Sequence, residues 1–384
     1  MSKTIYSQIA AGLVLGLAVA RGADTPSKFL GANSCASSSC HGGGGASQNQ
    51  FLVWSLKDFH SQRPFATLAT ARSKQIADTL GIKNPVADSR CTTCHAPLRA
   101  VPENLRGDNF NVSEGVSCES CHGPAENWLR AHTRTDWTRA DRTAAGMRDL
   151  QNLYVRANVC VACHQNVDAD ILAAGHPELV FELDGQSVAE PKHWPAEKNG
   201  NGAQAWLVGQ AVALREMSWQ LASEKSPTES EINQWRGLVW LVNRAGKMDP
   251  TLPAPPDITF RPNEENFRLV QKWGDALAMT AAKISWTEKL SQETLSALAN
   301  TTADFGAGIS QPVSARRAGR LVLALDRLVA ALPELKNNKP VQSALDQLFR
   351  LAQSIPDFDS TKFAAALADF SRALAQTHPA TIAN

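Results

Sequence analysis

Gly115-Val116-Ser117-Cys118-Glu119-Ser120-Cys121-His122-Gly123-Pro124 is the stretch on which the reading of this 384-residue chain turns. Two cysteines three positions apart, with histidine directly after the second, form the C-x-x-C-H pattern. Its thiols add to the two vinyl groups of a haem, and its histidine ligates the iron. The pattern recurs at Cys91-Thr92-Thr93-Cys94-His95 and at Cys160-Val161-Ala162-Cys163-His164. A stretched version, Cys35-Ala36-Ser37-Ser38-Ser39-Cys40-His41, precedes them.

These four motifs use all eight cysteines. A set of four disulfides would account for the thiols but not for four adjacent histidines. Four covalently bound haem c groups are therefore expected. Cys35, Cys40, Cys91, Cys94, Cys118, Cys121, Cys160 and Cys163 would be the attachment residues, and His41, His95, His122 and His164 the proximal ligands. At the stretched motif a small Cys35–Cys40 disulfide loop is the alternative. The small residues Ala36 to Ser39 and the run Gly42 to Gly45 make a bulge around haem easy to accommodate.

Residues 1–20 read as a secretory signal: Lys3 is followed by a stretch of twelve apolar residues, Ile9 to Ala20, and Ala18-Val19-Ala20 is an A-x-A cleavage site. Cutting near 20–23 would release the mature chain, and an uncleaved anchor is the alternative. Twelve apolar residues are too few to span a bilayer. Export agrees with the haem motifs, so a periplasmic location is expected. The 38 basic residues against 37 acidic ones give no field suited to nucleic acid. The expected partners are periplasmic or membrane-bound redox proteins.

An iron with two axial positions needs a second ligand beyond the motif histidine. Nine histidines are present. Outside the motifs stand His60, His132, His176, His193 and His378, and the first four lie in the haem-bearing half. Their number equals that of the open axial positions, which makes them candidate distal ligands, although histidine also serves ordinary core and surface roles. Met147 is a minor alternative, and Met217 fits a helical core position.

The third motif with His132 ten residues beyond it, and the stretch Trp54 to His60 after the first motif, resemble the tetrahaem cytochrome c-554 family over about residues 30–195. By position, the resemblance implies His60, His132 and His193 as distal ligands, haems packed in close pairs, and periplasmic electron transfer. In that family the haem on the second motif is five-coordinate. This chain departs in its stretched first motif and in the extra histidine of Gly175-His176-Pro177. If His176 or His193 caps the Cys91–His95 haem, all four irons are six-coordinate and small-molecule chemistry is blocked.

Short helices are expected near Gln50 to Ala71 and Glu126 to Arg142. Arg130, Arg134, Arg139 and Arg142 read as a solvated face or as propionate partners. A Gly-, Pro- and Asn-rich passage, Gly185 to Gln204, separates two regimes. Beyond it Leu207, Ala211, Leu214, Ser218 and Leu221 step at helical spacing, as do Leu321, Leu325, Leu328 and Leu332. Ser226-Pro227-Thr228-Glu229 reads as a capping box. The six tryptophans of this half are expected in the core or against the haem region.

The expected architecture is mainly α: a tetrahaem domain of short helices and loops over 24–200, then an all-α bundle of six or seven helices over 201–384, whose role the sequence leaves unstated. The expected function is periplasmic electron transfer rather than catalysis. The alternative is a multihaem oxidoreductase acting on a small nitrogen or sulfur compound at one five-coordinate haem.

Overall fold

A computed structural model describes residues 26–45, 47–194, 202–256, 261–306, 308–354 and 357–377. The signal segment, its cleavage point and His378 lie outside the described residues. The fold is mainly α, as the periodicity predicts. No strand forms among the described residues, and Phe29 with Arg106 makes one isolated bridge.

The haem-motif half holds short helices: α1 (Gln50–Lys57), α2 (Arg63–Thr67), α3 (Ala71–Thr79), α4 (Ser89–His95), α5 (Cys118–His122), α6 (Arg139–Ala144), α7 (Leu153–His164), α8 (Ala169–Ala173) and α9 (Leu183–Ala189). Loops and 3-10 turns join them, and polar contacts hold them in place. Glu119, buried between the cysteines of the third motif, accepts from the backbone N–H groups of Leu30, Gly31 and Ala125 at 2.7–2.8 Å. Three donors offset the cost of burying a carboxylate. The Trp54 indole donates to the Val116 carbonyl (3.0 Å), and the Val116 N–H donates to the His60 carbonyl (2.8 Å), so the third motif is tied to the loop carrying His60. Gly115 has φ +75°, and a Cβ there would lie 1.8 Å from the Ser61 carbonyl oxygen; only glycine allows that approach.

The remainder is helical: α10 (Gly202–Ser223), α11 (Glu229–Ala245), α12 (Glu264–Ala281), α13 (Glu288–Ala299), α14 (Gln311–Ala330), α15 (Pro333–Lys336), α16 (Lys339–Ala352) and α17 (Ser360–Thr377). Among the described residues that makes eight helices against the six or seven expected; the four-residue α15 is too short to leave a periodic signature. Helix α10 is apolar around most of its circumference and is buried accordingly, packed on α7, α9, α11, α12 and α14. The α11 cap differs from the expected one. Thr228 is the N-cap and Glu231 completes the box, because the helix begins at Glu229 rather than at Pro227. Asn263, Thr287 and Asn338 cap α12, α13 and α16.

Trp206 and Trp235 are fully buried, and Trp240 and Trp273 nearly so; Trp219 is 43% exposed. The Trp235 indole donates to Ser218 Oγ (2.9 Å), which explains a serine on the buried stripe of α10. The core of this half does not stop at residue 201. Ala157 and Val161 of α7, with Phe181 and Leu183, belong to the same apolar cluster as α10–α17.

Candidate haem-binding site

In the three regular motifs the histidine is the last residue of α4, α5 or α7 with both cysteines in the same helix, the third motif making up the whole of α5. Spacings of three and four put both thiols and the imidazole on one face of each helix. The stretched motif starts at the end of a 3-10 turn (Ala32–Cys35) and folds back through tight turns, with Cys40 N–H to Ser37 O at 3.0 Å and His41 N–H to Cys35 O at 3.3 Å. All eight cysteines are free thiols, Cys35 and Cys40 included.

The histidines come together in pairs. His41 faces His132 with ring centres 6.0 Å apart and planes at 23°; His164 faces His60 at 5.9 Å; His95 faces His176 at 6.4 Å. A metal–imidazole bond of about 2 Å on each side, plus about 1 Å from each nitrogen to its ring centre, gives roughly 6 Å. The three separations suit two imidazoles on one iron.

The ring nitrogens are sorted for the same purpose. Nδ1 of His41 meets Gln50 Oε1 (2.9 Å), that of His60 Asp58 Oδ1 (3.1 Å), and that of His95 the Pro64 carbonyl (2.8 Å). Nδ1 of His132 meets the Leu129 carbonyl (2.7 Å), and that of His176 the Pro177 carbonyl (2.9 Å). Nδ1 of His193 meets the Pro191 carbonyl at 3.4 Å, with Glu190 at 4.0 Å. The Gln186 amide lies 3.3 Å from His164 Nδ1 with its Oε1 unpartnered, and turning the amide over sets that oxygen on the Nδ1–H. An acceptor on Nδ1 fixes the tautomer that leaves Nε2 free to ligate. The residues present fit bound haem at the three facing pairs.

The fourth pair is looser. His122 and His193 make no ring contact, but burial first, and the charge of His193 next, pull the His122 imidazole down to about 4. Its buried Nδ1 has no partner. His193 also sits beside Asp58 and Glu190, whose ligand atoms with its own lie within 4.8 Å of one another. Burial and then Asp58 push the Glu190 carboxyl up to about 7. Burial works against Asp58 as well, yet its hydrogen bonds with His60 hold it below the usual carboxylate range.

The thiols trace the order of the attachment sites. Cys35 lies beside Cys118, and Cys94 beside Cys163, each pair close enough for one thiol to perturb the other. Cys121 lies in the electrostatic neighbourhood of Cys160, and burial pushes both thiols up to about 12. The first motif therefore abuts the third, the third neighbours the fourth, and the fourth abuts the second.

Arg130, Arg134, Arg139 and Arg142 do not share one helical face: α6 begins only at Arg139, Arg134 pairs with Asp136 (2.5 Å), and Arg139 pairs with Asp149 (3.5 Å). Gln50, Asp58, Glu119, Gln186 and Glu190 were absent from the sequence-based site. Asp58, two residues before His60, and Glu190, three before His193, are the ones whose positions could have signalled their roles; Glu119 and Gln186 act across longer stretches of chain.

Residues 34–123 match the family model described as cytochrome c554 and c-prime. The match holds the first three motifs and ends before the fourth. No curated protein and no solved structure matches the chain. Over residues 34–123, then, the chain is similar to the cytochrome c554 family, a likeness that agrees with covalently bound haem c and an electron-transfer or redox role.

Proposed function

We propose that this protein is a periplasmic tetrahaem cytochrome that carries electrons between redox proteins, with each of its four irons held by two histidines. The observation that carries the reading is the set of facing rings, His41 with His132, His164 with His60, and His95 with His176, at 5.9–6.4 Å. His122 takes His193 as the remaining partner. Bound haem supplies a one-electron iron couple, and bis-histidine ligation keeps its potential lower than histidine–methionine ligation would.

The surrounding residues orient and tune. Gln50, Asp58 and the carbonyls of Pro64 and Leu129 hold imidazoles in one tautomer. Asp58 carries negative charge against His60, which makes that imidazole a stronger donor. The order of attachment sites, first, third, fourth, second, supports a continuous path with its ends at the Cys35 and Cys91 motifs. His176 opposite His95 favours a carrier over a catalyst, because it takes up the axial position that substrate chemistry needs. No helix of the described residues is long and apolar enough to cross a membrane.

Electron paramagnetic resonance of the oxidised holoprotein tests the reading. Four low-spin signals are expected, with no carbon monoxide binding on reduction. His176→Ala should convert one haem to high spin and let one carbon monoxide bind per chain. A high-spin signal in the native protein, or four low-spin signals in the variant, would sink the assignment of His176.

A further inference from the structure

The first and third motifs meet at a buried carboxylate. Glu119 stands between the two cysteines of the third motif and is 1% exposed. Its Oε1 accepts from the N–H groups of Leu30 (2.8 Å) and Ala125 (2.7 Å), and its Oε2 accepts from that of Gly31 (2.7 Å). Both oxygens serve as acceptors, so the site calls for a carboxylate; the NH2 group of a glutamine would meet an N–H donor on either side. Burial raises the Glu119 carboxyl above its ordinary value, and the three donors pull against that by favouring the ionised form. No cation forms an ion pair with it among the described residues.

The same charge bears on the first motif. Leu30 and Gly31 lead directly into the turn Ala32–Cys35, where Glu114 accepts from the Ala32 N–H at 3.2 Å. Glu119 and Glu114 both lie in the electrostatic neighbourhood of Cys35, which itself lies beside Cys118. Residues 29–56, which hold the whole first motif, contain no Asp, Glu, Lys or Arg. That segment therefore supplies no opposing charge. Elsewhere opposite signs meet: at Cys91 Asp88 is offset by Arg90, and at Cys160 Glu190 is offset by Arg156.

A haem iron gains one positive charge on oxidation, so a fixed negative charge nearby stabilises the ferric state. Every haem brings the same propionates. What sets one haem apart from another is the charge and ligation that the chain supplies.

We propose that Glu119, with Glu114 beside it, lowers the potentials of the haems on the first and third motifs and makes their junction the low-potential region of the path. The inference rests on the tetrahaem reading above. Glu119 touches no iron; it acts through its charge and through its clasp on the segment before Cys35.

Redox titration of the holoprotein followed by electron paramagnetic resonance tests this, after pyridine haemochrome spectra have counted the haems in each variant. Fewer than four haems in the native chain would overturn the tetrahaem reading itself, before any potential is compared. The first haem is recognised by its near-parallel rings, 23° against 84–85° at the two other facing pairs, which set its low-spin signal apart. Glu119→Gln should raise the ferrous-to-ferric ratio of the first haem and of one other about tenfold at a fixed potential, an upward shift of about 59 mV. Glu114→Gln, which keeps an acceptor for the Ala32 N–H, should give a smaller shift of the same sign. Glu119→Asp keeps the charge but shortens the clasp, so the melting temperature should fall with little change in potential. Glu126→Gln, at an exposed carboxylate that accepts from the Lys28 N–H (2.8 Å), should shift nothing. Where Glu119→Gln takes up no haem, the sign of the shift in Glu114→Gln decides. Unchanged potentials in both glutamine variants, equal shifts in Glu119→Gln and Glu119→Asp, or an equal shift of all four haems would each overturn the proposal.

Discussion

The two halves of the molecule bury different things. Before α7, the buried apolar side chains are few and mostly scattered: Ala32, Cys35, Trp54, Leu68, Ala77, Ile82, Ala96, Ala125 and Trp128. From Ala157 to Phe370 all but Leu290 and Val313 form one cluster that joins α7 to α10–α17. Burying a large apolar side chain contributes about 1.5–3 kcal/mol, and the second half has dozens of such residues to the first half's handful. What the first half gathers instead is imidazoles, thiols and carboxylates. The difference teaches that one half can hold its shape by packing alone, whereas the other needs large apolar macrocycles among its rings to complete a core.

The strongest way to break that comparison is to withhold haem. Hydrogen exchange on protein produced without haem attachment should show protection lost across residues 26–150 and retained in α10–α14. Equal protection in both would mean that the first half has a packed core after all.

A smaller effect belongs to the helical half alone. The Glu182 carboxyl has an ordinary value of 4.5 and is pushed up to about 7 by burial. The fold therefore holds this proton more tightly than the unfolded chain does, a contribution intact below pH 4.5 and lost as pH rises through 7. Glu182→Gln carries no such loss. Chemical denaturation should find it about 3 kcal/mol more stable than the native protein at pH 8.5 and nearly equal to it at pH 4. A difference that does not vary with pH would refute the assignment.

The smallest effect sharpens the seam. Tyr154 of α7 donates to Asp275 of α12 at 2.7 Å, beside Arg215 at 2.8 Å from the same carboxylate. Tyr154→Phe leaves Asp275 paired with Arg215, so a cost of about 1 kcal/mol is expected. The loss should appear as faster exchange in α7, with α13 and α16 unchanged.

The sequence showed the parts that are local. Attachment motifs are contiguous, so Cys118 to His122 announces itself, and the step Leu321, Leu325, Leu328, Leu332 announces α14. Pairing is not local. Nothing near His60 says that its ring will face His164, or that His176 will face His95, because loops of unrelated length bring them together. Among the Nδ1 partners, the Pro64 carbonyl at His95 and Gln186 at His164 were hidden for the same reason, whereas the carbonyls of Leu129, Pro177 and Pro191 are local but belong to the backbone, which carries no residue-type signal. The expected division near residue 200 rested on composition, which registers glycine and proline but not that Ala157 and Val161 turn one face of a haem-motif helix into the bundle.

That docking has an electrical consequence. Cys160, on α7, is packed against the same cluster, with α10 lying behind it. A partner arriving over the bundle meets at least one helix diameter, about 10 Å, of closely packed aliphatic matter that carries no haem motif. The bundle thus screens one side of the fourth motif, and a redox partner would reach Cys160 only from the side away from α10.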